Sequence, residues 1–143
     1  MALTNEQKDA VIGMMDRYAE LYGAKNLEGL LAICDPGIFG YGSGVDEVVR
    51  GIASMKVQTK RDFAQADTIR VQFKVRDVNG DMPVAWVMAG CTFDVVVHGT
   101  PLCMEGRMTA VLRNTGSRWL FEMIHFSVPA MGQAAGESFP GSR

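Results

Sequence analysis

Glu122 is the residue whose setting most invites chemistry. It stands in Arg118-Trp-Leu-Phe-Glu-Met-Ile-His-Phe-Ser-Val-Pro129, a run rich in aliphatic and aromatic residues. Read as one uninterrupted strand, that run puts Leu120, Glu122, Ile124, Phe126 and Val128 on one face and Trp119, Phe121, Met123, His125 and Ser127 on the other. Glu122 is then the one carboxylate on the more apolar face. Apolar surroundings raise a carboxyl pKa and suit it to general acid or base work. A strand-end carboxylate that reaches solvent and pairs with a basic residue accounts for it as well. His125 falls on the opposite face. It could carry a proton near neutral pH, or simply pack and hydrogen-bond to Asp94, Glu105 or Ser127. Tyr18, Tyr22 and Tyr41 can present hydroxyls to a pocket, where a Tyr can donate to an oxyanion. Tyr18 and Tyr22, four residues apart, fit a buried helix stripe equally well. The candidate catalytic set is Glu122, Tyr18 and Tyr41.

Other chemistries find little support. The two histidines lack H-x-x-x-H or H-x-E spacing, so no metal set is read. Cys34, Cys91 and Cys103 are far apart and form no C-x-x-C pair, which points to free buried thiols in a reducing compartment. Gly42-Ser-Gly44 lacks both G-x-G-x-x-G and the P-loop Lys, so no nucleotide site and no cofactor are implied. The net charge is −2 with no basic run, which disfavours nucleic acid as a partner. Met1-Ala-Leu-Thr-Asn-Glu-Gln7 does not read as a signal peptide, and no apolar run approaches the roughly 18 residues of a membrane span. The expectation is a soluble cytoplasmic protein with neither a nucleic-acid nor a membrane partner.

The elements that must position these residues come in a clear order. The 143 residues suggest one domain over 1–129 and a tail, 130–143, rich in Gly, Ala and Ser. Thr4 followed by Gln7 fits a capping box. Val11, Met14, Met15, Tyr18, Leu21 and Tyr22 then recur at helical spacing, predicting a helix from about Asn5 to Ala24. Asn26 caps a short helix over 27–34, and Asp35-Pro36-Gly37 ends it. Ile38–Tyr41 reads as a short strand, Asp46–Arg50 as one helical turn, and Ile52 to Ala66 as a helix with Ile52, Met55, Thr59 and Phe63 inward. After Ala66 the period changes to two. Ile69, Val71, Phe73 and Val75 alternate with charged and polar residues, Asn79-Gly80-Asp81 turns, and Val84–Val97 is a long strand with a bulge or bend expected at Gly90. His98-Gly99 turns, and 102–112 and 118–128 complete a four-stranded antiparallel meander. Segregated helices and strands define an α+β fold.

The two-residue turn at His98-Gly99 sets the register. It places Phe93 opposite Met104, Cys91 opposite Gly106 and Ala89 opposite Met108. Directly opposed side chains share a face. One face is therefore wholly apolar and meets the helices. The other carries Asp94, Glu105, Arg107 and Thr109, with Trp86 and Met88 ambiguous because of Gly90. Arg107 with Asp94 and Glu105 fits a cross-strand ion pair. An interior pocket is expected to be lined by Tyr22, Phe39, Tyr41, Cys91, Phe93, Met108, Ile124 and Phe126, with Glu122 at its mouth.

The segment Gly106-Arg-Met-Thr-Ala-Val-Leu112, the turn Asn114-Thr-Gly-Ser117, and Arg118-Trp119 through Ser127-Val-Pro129 resemble the last hairpin of SnoaL-like proteins. These belong to the nuclear transport factor 2-like and ketosteroid isomerase-like superfamily. Asn26-Leu-Glu-Gly-Leu-Leu31, Phe39-Gly-Tyr-Gly-Ser-Gly44 and Val84-Ala-Trp-Val87 match as well, so the resemblance spans about residues 5–129. It implies a bent antiparallel sheet wrapped cone-like around the first helix, with a pocket inside. Such motifs specify a fold well and an activity poorly.

Two functions follow as expectations. One is a binding or association module with an apolar pocket, similar in fold to the association domain of the calcium/calmodulin-dependent kinase. The other is a small isomerase, cyclase, dehydratase or hydrolase that uses a pocket carboxylate on an apolar carbonyl compound, as the isomerase relatives do. Arg107 with Asp94 and Glu105 resembles in type, though not in motif, the Asp-Arg-Asp set of the superfamily's epoxide hydrolases. A homodimer is expected through the outer face, using Arg107, Phe121, Met123 and His125. A self-complementary interface suits a face bearing both charge signs, and many superfamily members pair this way.

Overall fold

A computed structural model describes residues 1–142. Helix α1 spans Asn5–Gly23, where the Thr4 side chain accepts from the Gln7 backbone and the Gln7 side chain accepts from the Thr4 backbone. Val11, Met15, Tyr18 and Leu21 form its buried stripe. Helix α2, Leu27–Ala32, is capped by Asn26 accepting from Gly29 N–H at 2.9 Å. Strands β1 (Cys34–Tyr41) and β2 (Val48–Arg50) precede helix α3 (Ile52–Gln65). Then come β3 (Thr68–Asp81), β4 (Val84–Val97), β5 (Thr100–Asn114) and β6 (Trp119–Ser127). No helix of the described residues is long and apolar enough to cross a membrane.

All six strands form one sheet in the order β2-β1-β6-β5-β4-β3. The meander β3–β6 is antiparallel throughout. At the turn between β4 and β5, His98 and Gly99 both have positive φ, which matches a two-residue hairpin to the twist of its strands. The register expected from that turn runs unbroken from Val97↔Thr100 to Val84↔Arg113, straight past Gly90. Trp86 and Met88 therefore sit on the outer face, each about half exposed.

Several expectations need correction. Asn79-Gly80-Asp81 is not a turn but the end of β3, paired with β4, and the chain turns at Met82-Pro83. The sheet is mixed rather than purely antiparallel, because β1 pairs in parallel with β6. A long crossover through the helices and the meander separates the two strands in sequence, and so permits a parallel pairing that a short loop would forbid. Residues 46–50 are not a helical turn: Val48–Arg50 fold back on Phe39–Tyr41 as a hairpin. Cys103 is exposed, whereas Cys34 and Cys91 are buried. Within the β1–β6 contact, a β-carbon on Gly40 would collide with the Ile124 carbonyl oxygen, so the backbone approach there demands glycine.

The last strand holds the largest departure from simple alternation. Val111 pairs with Met123, but Leu112 pairs with Phe121. Glu122 is thus the extra residue of a β-bulge, and a bulge reverses the parity of everything before it. Phe121 faces the interior with no exposed surface, alongside Ile124 two pairs later. It is a core residue and not an interface residue. Glu122 instead accepts from Arg113 Nε at 2.7 Å. Residues 130–142 follow as turns without helix or strand.

Candidate functional site

The cone holds a cavity of about 250 Å³ that opens to solvent. Its walls come from four places. Helix α1 supplies Tyr18 and Tyr22, and the β1–β2 loop supplies Ser43 and Glu47. Helix α3 supplies Met55, Gln58, Thr59 and Asp62, while the concave sheet supplies Cys91, Phe93, Met104, Ile124 and Phe126. The aromatic rings form one cluster. Tyr18 and Tyr22 stack with centroids 6.2 Å apart, Tyr22 meets Phe93 edge-on at 5.8 Å, and Phe93 meets Phe126 at 5.7 Å.

Polar groups converge at one end. Tyr22 Oη donates to Asp62 Oδ2 at 2.7 Å, and Gln58 Nε2 donates to Asp62 Oδ1 at 2.8 Å. The same Gln58 nitrogen donates to Glu47 Oε1 at 3.2 Å. The other Glu47 oxygen accepts from the Gly44 backbone within the loop, so the Gln58 bond is what ties the β1–β2 loop to α3. Arg61, on the outer side of α3, holds Asp46 through two bonds of 2.8 and 3.0 Å and lies 3.6 Å from Glu47. Burial raises the Asp62 carboxyl above the usual carboxylate range. The bonds from Tyr22 and Gln58 and the charge of Arg61 oppose that rise, while Glu47 adds to it. Burial, and then the Asp62 carboxylate, push the Tyr22 phenol far upward. Tyr18 is also raised well above its ordinary value, mainly by burial. Cys34, whose Sγ donates to Leu30 O at 3.3 Å, is pushed up to about 12 by burial.

Of the residues expected around a pocket, Tyr18, Tyr22, Cys91, Phe93, Ile124 and Phe126 line this cavity. Met108 is packed in the core behind it, 1% exposed. Phe39 and Tyr41 lie elsewhere. They pair with Met123 and His125 across β1–β6, so they stand on the outer face, each about half exposed. The Tyr41 ring sits 5.6 Å from the His125 ring. Tyr41 therefore cannot serve the cavity, and the bulge keeps Glu122 out of it. Arg107, Asp94 and Glu105 are exposed on the outer face and make no ion pair with one another.

Sequence reading missed Asp62, Gln58 and Glu47. A signal existed for two of them. Met55, Gln58, Thr59, Asp62 and Ala66 recur at i, i+3, i+4, i+7 and i+11, one stripe of α3 that includes polar residues. A carboxylate on such a stripe faces the interior. Nothing local marks Glu47, whose placement depends on the loop closing over α3.

The raised Asp62 pKa has a testable consequence. A carboxyl whose folded pKa lies above its unfolded value binds protons more readily in the folded state. Its stabilising contribution is complete below the unfolded value of roughly 3.9 and is lost as pH rises through the folded value. Asp62→Asn removes that loss and can still accept from Tyr22. In urea titrations across pH 4–7, the variant is expected to match or exceed the parent at pH 7. Its advantage should shrink toward pH 4. A variant less stable at pH 7, with an unchanged difference at pH 4, would contradict the assignment.

Solved structures resemble this chain along most of its length. A protein of unknown function with a cystatin-like fold from Nostoc punctiforme superposes with a TM-score of 0.77 at 14% identity, covering 92% of this chain and 97% of that one. A nuclear transport factor 2-like superfamily protein from Salmonella enterica gives 0.78 at 15% identity, covering 92% and 96%. An NTF2-like protein with a cystatin-like fold from Novosphingobium aromaticivorans gives 0.76 at 17% identity, covering 91% and 86%. At these identities the likeness is one of fold. A search of curated protein sequences gave no significant match. The family model described as the SnoaL-like domain matches residues 11–131, from the buried stripe of α1 to just beyond β6, and the chain belongs to that family.

Proposed function

We propose that this chain is a small-molecule-binding domain. In this reading the cone cavity takes one mostly apolar molecule and holds its polar group against Tyr22, Asp62 and Gln58. The observation that carries it is an aromatic-walled cavity whose single polar end is pre-assembled by hydrogen bonds from two helices. A few convergent polar groups in an apolar cavity are the ordinary form of a ligand site. The volume limits the ligand. A cavity of about 150 Å³ can hold benzene, so about 250 Å³ suits one aromatic ring with a short side chain.

The enzyme reading survives with a different residue. Asp62, rather than Glu122, is the half-buried carboxylate in the cavity lining beside tyrosine hydroxyls, and would be the acid or base on such a ligand. Binding comes first in either case. We further propose that the protein works as a homodimer, formed by the outer face and using Met123, His125 and Arg107 together with Trp86, Met88, Phe39 and Tyr41.

The binding reading is tested by thermal shift with a panel of single-ring alcohols and phenols at millimolar concentration. A ligand at ten times its Kd is expected to stabilise the fold by roughly 1.4 kcal/mol, enough for a shift of a few degrees. Met104→Trp, which fills the cavity from a half-buried strand position, should remain folded by circular dichroism and lose the shift. A panel without effect on the parent protein, or shifts undiminished in Met104→Trp, would refute a cavity ligand.

A further inference from the structure

We propose that the cavity selects a cationic ligand: a primary or secondary amine on a single-ring aromatic body, with the ammonium at Asp62 and Glu47. The inference rests on the binding reading above and gives it a ligand class.

Among the described residues, two carboxylates line the cavity, Asp62 and Glu47, and no Lys, Arg or His does. Arg61 lies outside that lining and is already committed to Asp46 through two hydrogen bonds. An anionic ligand would therefore meet like charge in a partly desolvated space, and a cation would meet opposite charge. Hydrogen-bonding capacity points the same way. Gln58 Nε2 donates to both carboxylates and Tyr22 Oη donates to Asp62, so the donors already present at this end are turned inward. The lone pairs left on the carboxylates and on Tyr22 Oη accept. An ammonium has three donors and no acceptor, and fits that inventory.

A second feature, independent of the acidic pair, also calls for a ligand. Tyr18 is 2% exposed and lines the cavity. Its hydroxyl makes no hydrogen bond among the described residues, yet it is not a sealed, unsatisfied group. It is left open to pair with the polar group of a ligand. Tyr18, Tyr22, Phe93 and Phe126 also line the cavity, and the face of such a ring attracts a desolvated cation.

The same geometry fixes a pH dependence. The groups bearing on Asp62 are Tyr22 and Tyr18 from α1, Gln58 and Arg61 from its own helix, and Glu47 from the β1–β2 loop. Cys91 is the one titratable side chain that the sheet contributes to the cavity lining. An ammonium favours the ionised carboxylate, so amine binding expels the Asp62 proton. Amine affinity must then rise with pH through the Asp62 titration and level off above it, while affinity for a neutral ligand stays flat.

The test uses an isosteric series, 2-phenylethylamine, 2-phenylethanol and phenylacetate, titrated calorimetrically into the full chain at pH 7 and pH 4.5. The amine is expected to bind at least tenfold tighter than the alcohol at pH 7, to weaken at pH 4.5, and to leave phenylacetate the weakest. Asp62→Asn should erase the amine's advantage over the alcohol, and a circular dichroism spectrum that matches the parent's shows that the variant is folded. Equal affinity for amine and alcohol, preference for phenylacetate, or an amine advantage that persists in Asp62→Asn would each overturn the cation proposal while leaving the cavity a binding site. Failure of all three probes would overturn both readings.

Discussion

Phe121→Ala is expected to destabilise the protein by about 3–5 kcal/mol, the usual cost of deleting a fully buried aromatic side chain. The ring has no exposed surface and meets Tyr18 edge-on at 5.3 Å. Its backbone N–H donates to Ile33 O at 2.9 Å, and it pairs with Cys34 on one side and Leu112 on the other. Removing it opens a void where α1, β1 and β5 converge, and the rigid sheet cannot collapse to fill it. For a chain of this size the melting temperature should fall by roughly 10–15 °C. Tyr18 loses a supporting wall, so ligand-induced shifts should weaken too. Scanning calorimetry decides the matter: an unchanged melting temperature would put Phe121 outside the core.

Met88→Glu should do the opposite, leaving the monomer intact and splitting the proposed dimer. The outer face carries two apolar rows. Phe39, Met123, Val111 and Trp86 follow one another across β1, β6, β5 and β4. Tyr41, His125, Thr109 and Met88 form the next row. Phe39, Tyr41, Trp86 and Met88 are each about half exposed, a contiguous patch that monomers seldom show to water. Arg107, Asp94 and Glu105 lie beyond it and can make polar contacts at the rim. Met88 is the better probe than half-buried Met123, because it is 53% exposed and a charge there costs the monomer little. A two-fold axis brings the substitution in twice, and burying it should weaken dimerisation by about 2–4 kcal/mol. Analytical ultracentrifugation at tens of micromolar should show the parent at twice its 15.6 kDa chain mass and the variant at that mass. A monomeric parent would refute the interface. Together the two variants separate the core ring from the outer patch, which lie on opposite faces of one sheet.

Much of this architecture is local in origin, which is why it was legible. The Thr4–Gln7 box, the apolar stripe of α1 and the His98-Gly99 turn each depend on a few neighbouring residues. Once that turn is placed, geometry alone carries the β4–β5 register from one end to the other. The family resemblance rested on other local segments, chiefly the last hairpin. Six pocket residues were legible for a related reason: they sit on helix or strand stripes free of bulges or, for Ile124 and Phe126, on the part of β6 beyond the bulge.

What escaped sequence reading depends on how separate elements fit together. A single inserted residue in β6 reverses which face its neighbours occupy, and no local composition marks it, because the bulge is settled by the fit of β6 between β1 and β5. That fit moved Phe121 inward and handed Glu122 to Arg113. Parallel pairing with β6 carried Phe39 and Tyr41 to the outer face. The polar end of the cavity is likewise tertiary. Tyr22, Glu47, Gln58 and Asp62 come from α1, a loop and α3, and meet only when both helices lie against the concave sheet. The sequence by itself determined the elements and an apolar interior, because propensity and period act over a few residues. Which carboxylate looks into that interior was decided only by tertiary packing, because burial belongs to the assembled cone and to no single strand.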